Sequence, residues 1–328
     1  MGNLTEALAR KPVYWSGRPY HSLDYHIRQT FGEKLYKISL DAGLTCPNRD
    51  GTLGERGCIF CSQGGSGDFA SDRRLSITEQ IESGKQQSAG KFKGSGYIAY
   101  FQAYTNTYGP VSRLRRLFLE AASHPDIRAL SIATRPDCLG HKVLELLKEV
   151  NQIKPVWVEL GLQTIHERTA AFIRRGYTFP VFEQAVRDLR AAGLDVIVHV
   201  ILFLPGETQE DMYQTIRQLN RMDIQGIKLQ LLHILKGTDL AGFYESHPFF
   251  IPCMEDYFRV LGGLPWHAAP RHRHPQAHGR RSKGASHRTP VDRKQAVRAE
   301  PVPRLSETPA YLAGKELYTC LNHLHYTS

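Results

Sequence analysis

Residues 34–69 read KLYKISLDAGLTCPNRDGTLGERGCIFCSQGGSGDF, and this stretch decides the fold. Its first seven residues have the β-branched and aromatic content of a strand. A long loop follows, holding Cys46, Cys58 and Cys61 in a C-x11-C-x2-C spacing, with glycines at 51, 54, 57, 64, 65 and 67. Three thiols on one Gly-rich loop can face one inorganic centre, because glycine lets the backbone wrap closely.

Outward from this loop, strand and helix patterns alternate. Strands read at 34–40, 96–101, 129–134, 156–162, 195–204 and 226–234. Helical patterns fall at 77–88, 111–122, 142–150, 167–175, 182–192 and 209–222, with a short helix at 23–31 ahead of the first strand. Near-continuous apolar strands imply burial on both faces. Alternation with helices implies parallel βαβ units with right-handed crossovers. Six units fit an α/β, partial (βα)6 TIM-like barrel; an open doubly wound sheet fits the same pattern. The expected domains are an N-terminal extension (1–32), a core (33–262) and a tail (263–328). Chemically rich residues follow the strands, where barrel enzymes place their sites. They include Cys46, Gln102 to Asn106, Arg135 with Asp137, Gln163 and Glu207. Polar residues also follow strands for the plain reason that loops face water.

The chain has 328 residues and six cysteines, at 46, 58, 61, 138, 253 and 320, which is not the even spacing of a disulfide framework. The first residues lack the apolar core of a secretion signal, and no run is long enough to cross a bilayer. The expectation is a reduced, cytoplasmic protein with no membrane partner. The net charge is +10, but residues 264–306 hold ten Lys or Arg against Asp292 and Glu300, so the rest carries only +2. A basic balance confined to one segment is weak ground for a nucleic-acid face. That segment also has five His, six Pro and few large aliphatics, which predicts an atypical, poorly ordered C-terminal tail. A His-rich tract can bind metal, but the spacing here is irregular.

The cysteine spacing admits three chemistries. An iron–sulfur cluster normally takes four cysteines, and three leave one iron open. Structural zinc wants four ligands, and this loop has no fourth Cys or His, although Cys138 can supply one from elsewhere. A redox dithiol at Cys58 and Cys61 leaves Cys46 unexplained. Cys138 and Cys253 are open as further ligands or as ordinary packing residues.

The segments YKISLDAGLTCPNRDG, GCIFCSQGGSGDF and YFQAYTNTYGP resemble the radical S-adenosylmethionine (SAM) superfamily, specifically its YhcC-like branch with an Elongator-catalytic-subunit-like core. The resemblance covers about residues 20–260. It implies a [4Fe–4S] cluster on Cys46, Cys58 and Cys61. The cluster reductively cleaves SAM to a 5′-deoxyadenosyl radical that takes hydrogen from a substrate, RNA or a small metabolite. It also implies a one-electron donor such as flavodoxin or ferredoxin. Phe60 would lie beside the adenine. Gln102, Tyr104 and Thr105 stand where many relatives carry a Gly-Gly-Glu motif toward the SAM amino group, a motif absent here. Gly161 and Gln163 match a G-x-Q of oxygen-independent coproporphyrinogen oxidases, and Arg175 matches an arginine there that pairs with the SAM carboxylate. Arg174 and Arg175 also fit a solvated helix end. His199 stands where those relatives have an acid toward the ribose, and it equally fits a histidine satisfied inside the barrel. Phe203 replaces a usual glycine ahead of Leu204–Thr208, where it would crowd or stack on the adenine or serve as a plain apolar residue.

Relatives continue with an apolar α/β segment beyond the sixth strand, whereas this chain enters the His/Arg/Pro stretch. A shifted reading frame is one explanation, and an altered tail would leave activity impaired. No residue identifies itself as a further catalytic group; Tyr104, Arg135, Asp137 and His233 are candidates by position alone. The alternative function is a zinc-stabilised RNA-binding protein without radical chemistry.

Overall fold

A computed structural model describes residues 20–264 apart from 69, 91–93 and 95. The expectations for the tail therefore lie outside the described residues. Six strands form one parallel sheet in the order β1-β2-β3-β4-β5-β6. They are β1 Tyr36–Leu40, β2 Tyr97–Phe101, β3 Ile127–Thr134, β4 Val156–Gln163, β5 Asp195–Leu202 and β6 Gly226–Leu231. Each strand pairs with the next in parallel, for example Tyr100 with Ser131 and His199 with Lys228. Sequential order with helical crossovers is the partial-barrel arrangement, not the reversed order of an open doubly wound sheet.

The helices are α1 Leu23–Phe31, α2 Ile77–Ser88, α3 Val111–Ser123, α4 His141–Ile153, α5 Glu167–Phe172, α6 Phe179–Ala191, α7 Gln209–Leu219, α8 Asp239–Ser246 and α9 Met254–Gly263. Leu114, Phe118, Ala121 and Ala122 recur at helical spacing and are buried, so α3 lays one apolar stripe on the sheet. Burying each large side chain of this kind contributes about 1.5–3 kcal/mol before entropy is counted. The Ser76–Glu79 and Thr208–Asp211 capping boxes fix the starts of α2 and α7.

The concave face of the sheet is layered because strand side chains alternate with a period of two. Its lowest layer is apolar: Leu35, Ile98, Ala129, Trp157 and Ile197 pack together with Ile27 of α1. Thus α1, from the expected N-terminal extension, closes the barrel at its N-terminal end.

The structure alters several expected boundaries. The helix read at 167–175 stops at Phe172, because Arg174 turns left-handed at φ 57°. The fifth strand stops at Leu202, because Phe203 does the same at φ 64°. The sequence pattern did not single out α8 and α9. Leu264 is buried in the main core, so the core runs past residue 262.

Candidate active site

The cysteine loop leaves β1 and covers the C-terminal rim of the sheet. Its shape is held by local bonds: Arg49 N–H donates to the Cys46 carbonyl at 2.8 Å, and Cys61 N–H to that of Cys58 at 3.0 Å. The Arg49 guanidinium donates to the Cys61 and Ser62 carbonyls at 3.1 and 2.6 Å. Buried Asn48 donates to the Arg174 and Arg175 carbonyls at 2.8 and 3.3 Å, tying the loop to the chain beyond β4. Gly65 sits at φ 58°, and a Cβ there would lie 2.4 Å from the Tyr104 ring. Only glycine combines that backbone with that approach.

Cys46, Cys58 and Cys61 are free, half-buried thiols. Burial pushes the Cys58 thiol up to about 12, and the charges of Cys61 and Cys46 add to that shift. Burial likewise raises Cys61, although Arg49 opposes it. The three therefore face a common space. Among the described residues, the ligand set lying within 4.8 Å of one another is Glu82, His124 and Asp126, not the thiols. Sulfurs bound to one zinc at about 2.3 Å would sit closer than that. The Glu82 set is already served by Lys85, which pairs with both Glu82 and Asp126.

Backbone strain gathers on the same rim. Ser66, Tyr104, Gln163, Arg174 and Phe203 are the described non-glycine residues with positive φ. All lie in the cysteine loop, at the end of β4 or in the segments after β2, β4 and β5. Such outliers cost of order 1–3 kcal/mol and concentrate at functional sites.

The residues expected around SAM meet different fates. Gln163 ends β4 at a bulge with φ 69°, and its Oε1 is buried with no hydrogen-bond partner. An orphaned buried acceptor is costly unless a donor reaches it. Phe60 packs on the apolar cluster of Ile59, Ile173, Ile201, Leu204, Leu232 and Leu240 beside the cysteines. Gln102 is already engaged, accepting from Ser39 Oγ at 2.9 Å and donating to the Ser66 carbonyl at 2.8 Å. Thr105 is buried, its N–H on the Thr45 carbonyl.

One expectation needs correction, and three further side chains take partners within the chain. Arg175 is not a solvated helix end. It is 1% exposed, and its donors go to the carbonyls of Tyr177, Leu162 and Thr164 and to Glu167. Its side chain braces the turn after α5. Tyr104 donates its hydroxyl to the Gln63 carbonyl at 2.6 Å and packs under Gly65. It lines a cavity of about 440 Å³ with Gly43, Arg49, Arg73 and Arg113, beside the loops after β1 and β2. His199 bonds to Glu159 at 2.6 Å and is the satisfied barrel histidine. Phe203 turns toward Phe250, ring centroids 6.3 Å apart, and its backbone takes the left-handed form that a glycine would adopt freely.

Arg135 donates bidentately to Asp137 at 2.9 and 2.7 Å, and also to the Arg175 carbonyl. Burial opposes its charge, but Asp137 outweighs that and raises its pKa. Cys138 reaches Asp137 at 3.7 Å, and burial with the Asp137 charge pushes its thiol up to about 12. Cys253 precedes α9, where Asp256 accepts from its N–H. His233 follows β6 and is exposed.

Sequence reasoning missed the middle layer of the barrel. Lys37, Tyr100, Ser131, Glu159, His199 and Lys228, one from each strand, meet there. Glu159 Oε1 accepts from Lys37 and from Ser131 at 2.5 Å; Oε2 accepts from His199 at 2.6 Å and Lys228 at 3.2 Å. Burial alone would raise the Glu159 pKa; Lys228, Lys37 and His199 overturn this and hold it well below the usual range. The signal was present: a charged residue amid each of several apolar strands.

A sequence model of the radical SAM superfamily matches residues 51–219. The chain is 45% identical over 242 residues to the uncharacterized protein YtqA of Bacillus subtilis (strain 168), spanning 74% of this chain and 75% of that one. It is 39% identical over 245 residues to protein YhcC of Escherichia coli (strain K12), spanning 74% and 78%. In fold it is similar to the archaeal Methanocaldococcus infernus Elp3 lacking residues 1–46, with a TM-score of 0.52, 15% identity, and coverage of 70% of this chain and 53% of that one. Among the described residues no helix is long and apolar enough to cross a membrane. Family match, close relatives and the curled parallel sheet agree, and the chain belongs to the radical SAM superfamily, with YtqA and YhcC among its relatives.

Proposed function

We propose that this chain is a SAM-cleaving radical enzyme whose cluster is held by Cys46, Cys58 and Cys61. The observation that carries this reading is the gathering of those three free thiols on one rim loop, which holds no fourth Cys or His to close a zinc site. The orphaned Gln163 oxygen supports it, because a buried acceptor beside the rim fits the ammonium of an amino-acid ligand such as SAM.

Cys46, Cys58 and Cys61 would hold a [4Fe–4S] cluster, which would supply the one-electron chemistry of reductive SAM cleavage. The residues of the chain do the rest. The three cysteines bind as thiolates, so loading releases protons from thiols that burial keeps protonated. Asn48 lies 3.6 Å from Cys58 Sγ and fixes the loop on the Arg174–Arg175 turn. Gln163 would hold the SAM amino group, and Phe60 with its apolar neighbours would shield the adenine side from water. Arg175 holds the segment that presents Gln163, through the Leu162 and Thr164 carbonyls. Electrons would come from a flavodoxin or ferredoxin, and RNA or a small metabolite would be the substrate. The zinc-stabilised RNA-binding alternative loses support from the missing fourth Cys or His in the loop and from the near-neutral core.

Anaerobic reconstitution should give a brown protein with about four irons per chain. Dithionite and SAM should then yield 5′-deoxyadenosine. A colourless protein holding one zinc would overturn the proposal.

A further inference from the structure

We infer that Lys37 and Lys228 form an anion subsite inside the barrel that receives the carboxylate or phosphate of a small organic substrate. The substrate assignment rests on the proposed radical chemistry; the anion site stands on its own geometry.

The charges facing one another in this layer do not balance. Two ammonium groups share a single carboxylate, Glu159. Burial and the Lys228 charge depress the His199 pKa, so its ring adds no negative or positive compensation near neutrality. Tyr100 keeps its proton, since burial and Glu159 raise its pKa. A surplus positive charge thus lies inside the sheet, where it is expensive unless a counter-charge arrives, and burial, with the Lys228 charge and against Glu159, lowers the Lys37 pKa accordingly.

The donors do not balance either. Four groups already occupy the two Glu159 oxygens. Lys228 directs one N–H to Glu159 and one to Tyr100 Oη at 3.0 Å. Lys37 directs one to Glu159 and a long one to Ser131 at 3.4 Å. Each ammonium keeps a further N–H with no partner among the described residues. The Tyr100 ring, 4.4 Å from Lys37 Nζ and 5.0 Å from Lys228 Nζ, holds both cations in place.

Access is one-sided. The Lys37 and Lys228 side chains are 22% and 15% exposed, whereas Glu159 is 1% exposed. The cations meet water and the acid does not. Below them Trp157, Ile98, Ala129 and Ile197 close the barrel. A closed floor suits the anionic end of a small molecule, not a phosphodiester chain continuing in both directions.

The test uses the full chain, reconstituted anaerobically, titrated with inorganic phosphate and with acetate while melting temperature is followed. Either anion should stabilise wild type and Lys228→Arg. Affinity should fall about tenfold or more in Lys228→Met and Lys37→Met, and stay unchanged in Lys142→Met on exposed α4. The anion that binds tighter assigns phosphate or carboxylate. Each Met variant leaves one lysine on one glutamate, so folding should survive; Lys37→Gln repeats the comparison if one does not. Equal affinity in wild type and variants, or no response in wild type, overturns the subsite. A matching loss of SAM affinity in Lys228→Met would assign the cations to the cofactor and overturn the substrate role. Iron, sulfide and 5′-deoxyadenosine are assayed on the same wild-type sample. Their absence with anion binding intact removes the radical reading and leaves the subsite standing.

Discussion

Lys37 and Lys228 stand on opposite edge strands, β1 and β6, yet both ammonium groups bond to the Glu159 carboxylate on β4. A flat six-stranded sheet would hold its edges roughly 24 Å apart, at about 4.8 Å per strand. Meeting at one carboxylate therefore requires the sheet to curl. Glu159 is a tie across the concave face as well as a counter-ion.

Glu159→Gln should destabilise the fold by about 3–5 kcal/mol, because it leaves two ammonium groups facing each other without an anion. Lys37→Met should cost little or even stabilise, since the remaining lysine balances the glutamate. Urea midpoints of the three proteins check this. Equal losses would mean that the charge surplus has no energetic weight.

Cys46→Ala, Cys58→Ala and Cys61→Ala should each abolish stable loading of about four irons, while Cys138→Ala should keep it. Cys138 is turned to Asp137. Iron and sulfide analysis on anaerobic protein decides the matter. Full iron content in any of the first three would contradict the ligand assignment.

Arg175→Lys should lower stability by about 3 kcal/mol, because one ammonium cannot replace a fork serving three carbonyls and a carboxylate. The affinity of the folded fraction for SAM should be nearly unchanged. Loss of SAM binding without loss of stability would return Arg175 to the role its sequence position implied.

Stability should fall in two steps as pH drops. The first reports His199, whose pKa is depressed in the folded state by burial and then by Lys228. Unfolded chains take up that proton first, so stability is present above about pH 6.5 and erodes below it. The second reports Glu159, whose pKa is also depressed; its contribution is present above about pH 4.3 and is lost on further acidification. Denaturant midpoints for His199→Gln should lack the first step and keep the second.

Gly65→Ala should loosen the cysteine loop at a cost of order 1–3 kcal/mol, since the new methyl meets Tyr104 at 2.4 Å from a left-handed backbone. Tyr104→Ala should partly rescue it by opening that space. Thermal melts and iron retention under mild chelation measure both.

By itself the sequence determined the parallel strand–helix alternation and the gathering of three thiols in one loop. Both are local facts, written in apolar runs and in short spacings along the chain. Only the tertiary structure decided what the long side chains do. Arg175 looked like a ligand hand or a helix end until the left-handed Arg174 turned it inward. His199 had two readings until Glu159, forty residues earlier, occupied its Nε2. Lys37 and Lys228 lie far apart in the chain and at opposite edges of the sheet, and no periodicity reports that they meet. The physical reason is that strand pattern fixes which face a residue takes, while the curl of the sheet fixes which residues on that face come within bonding distance.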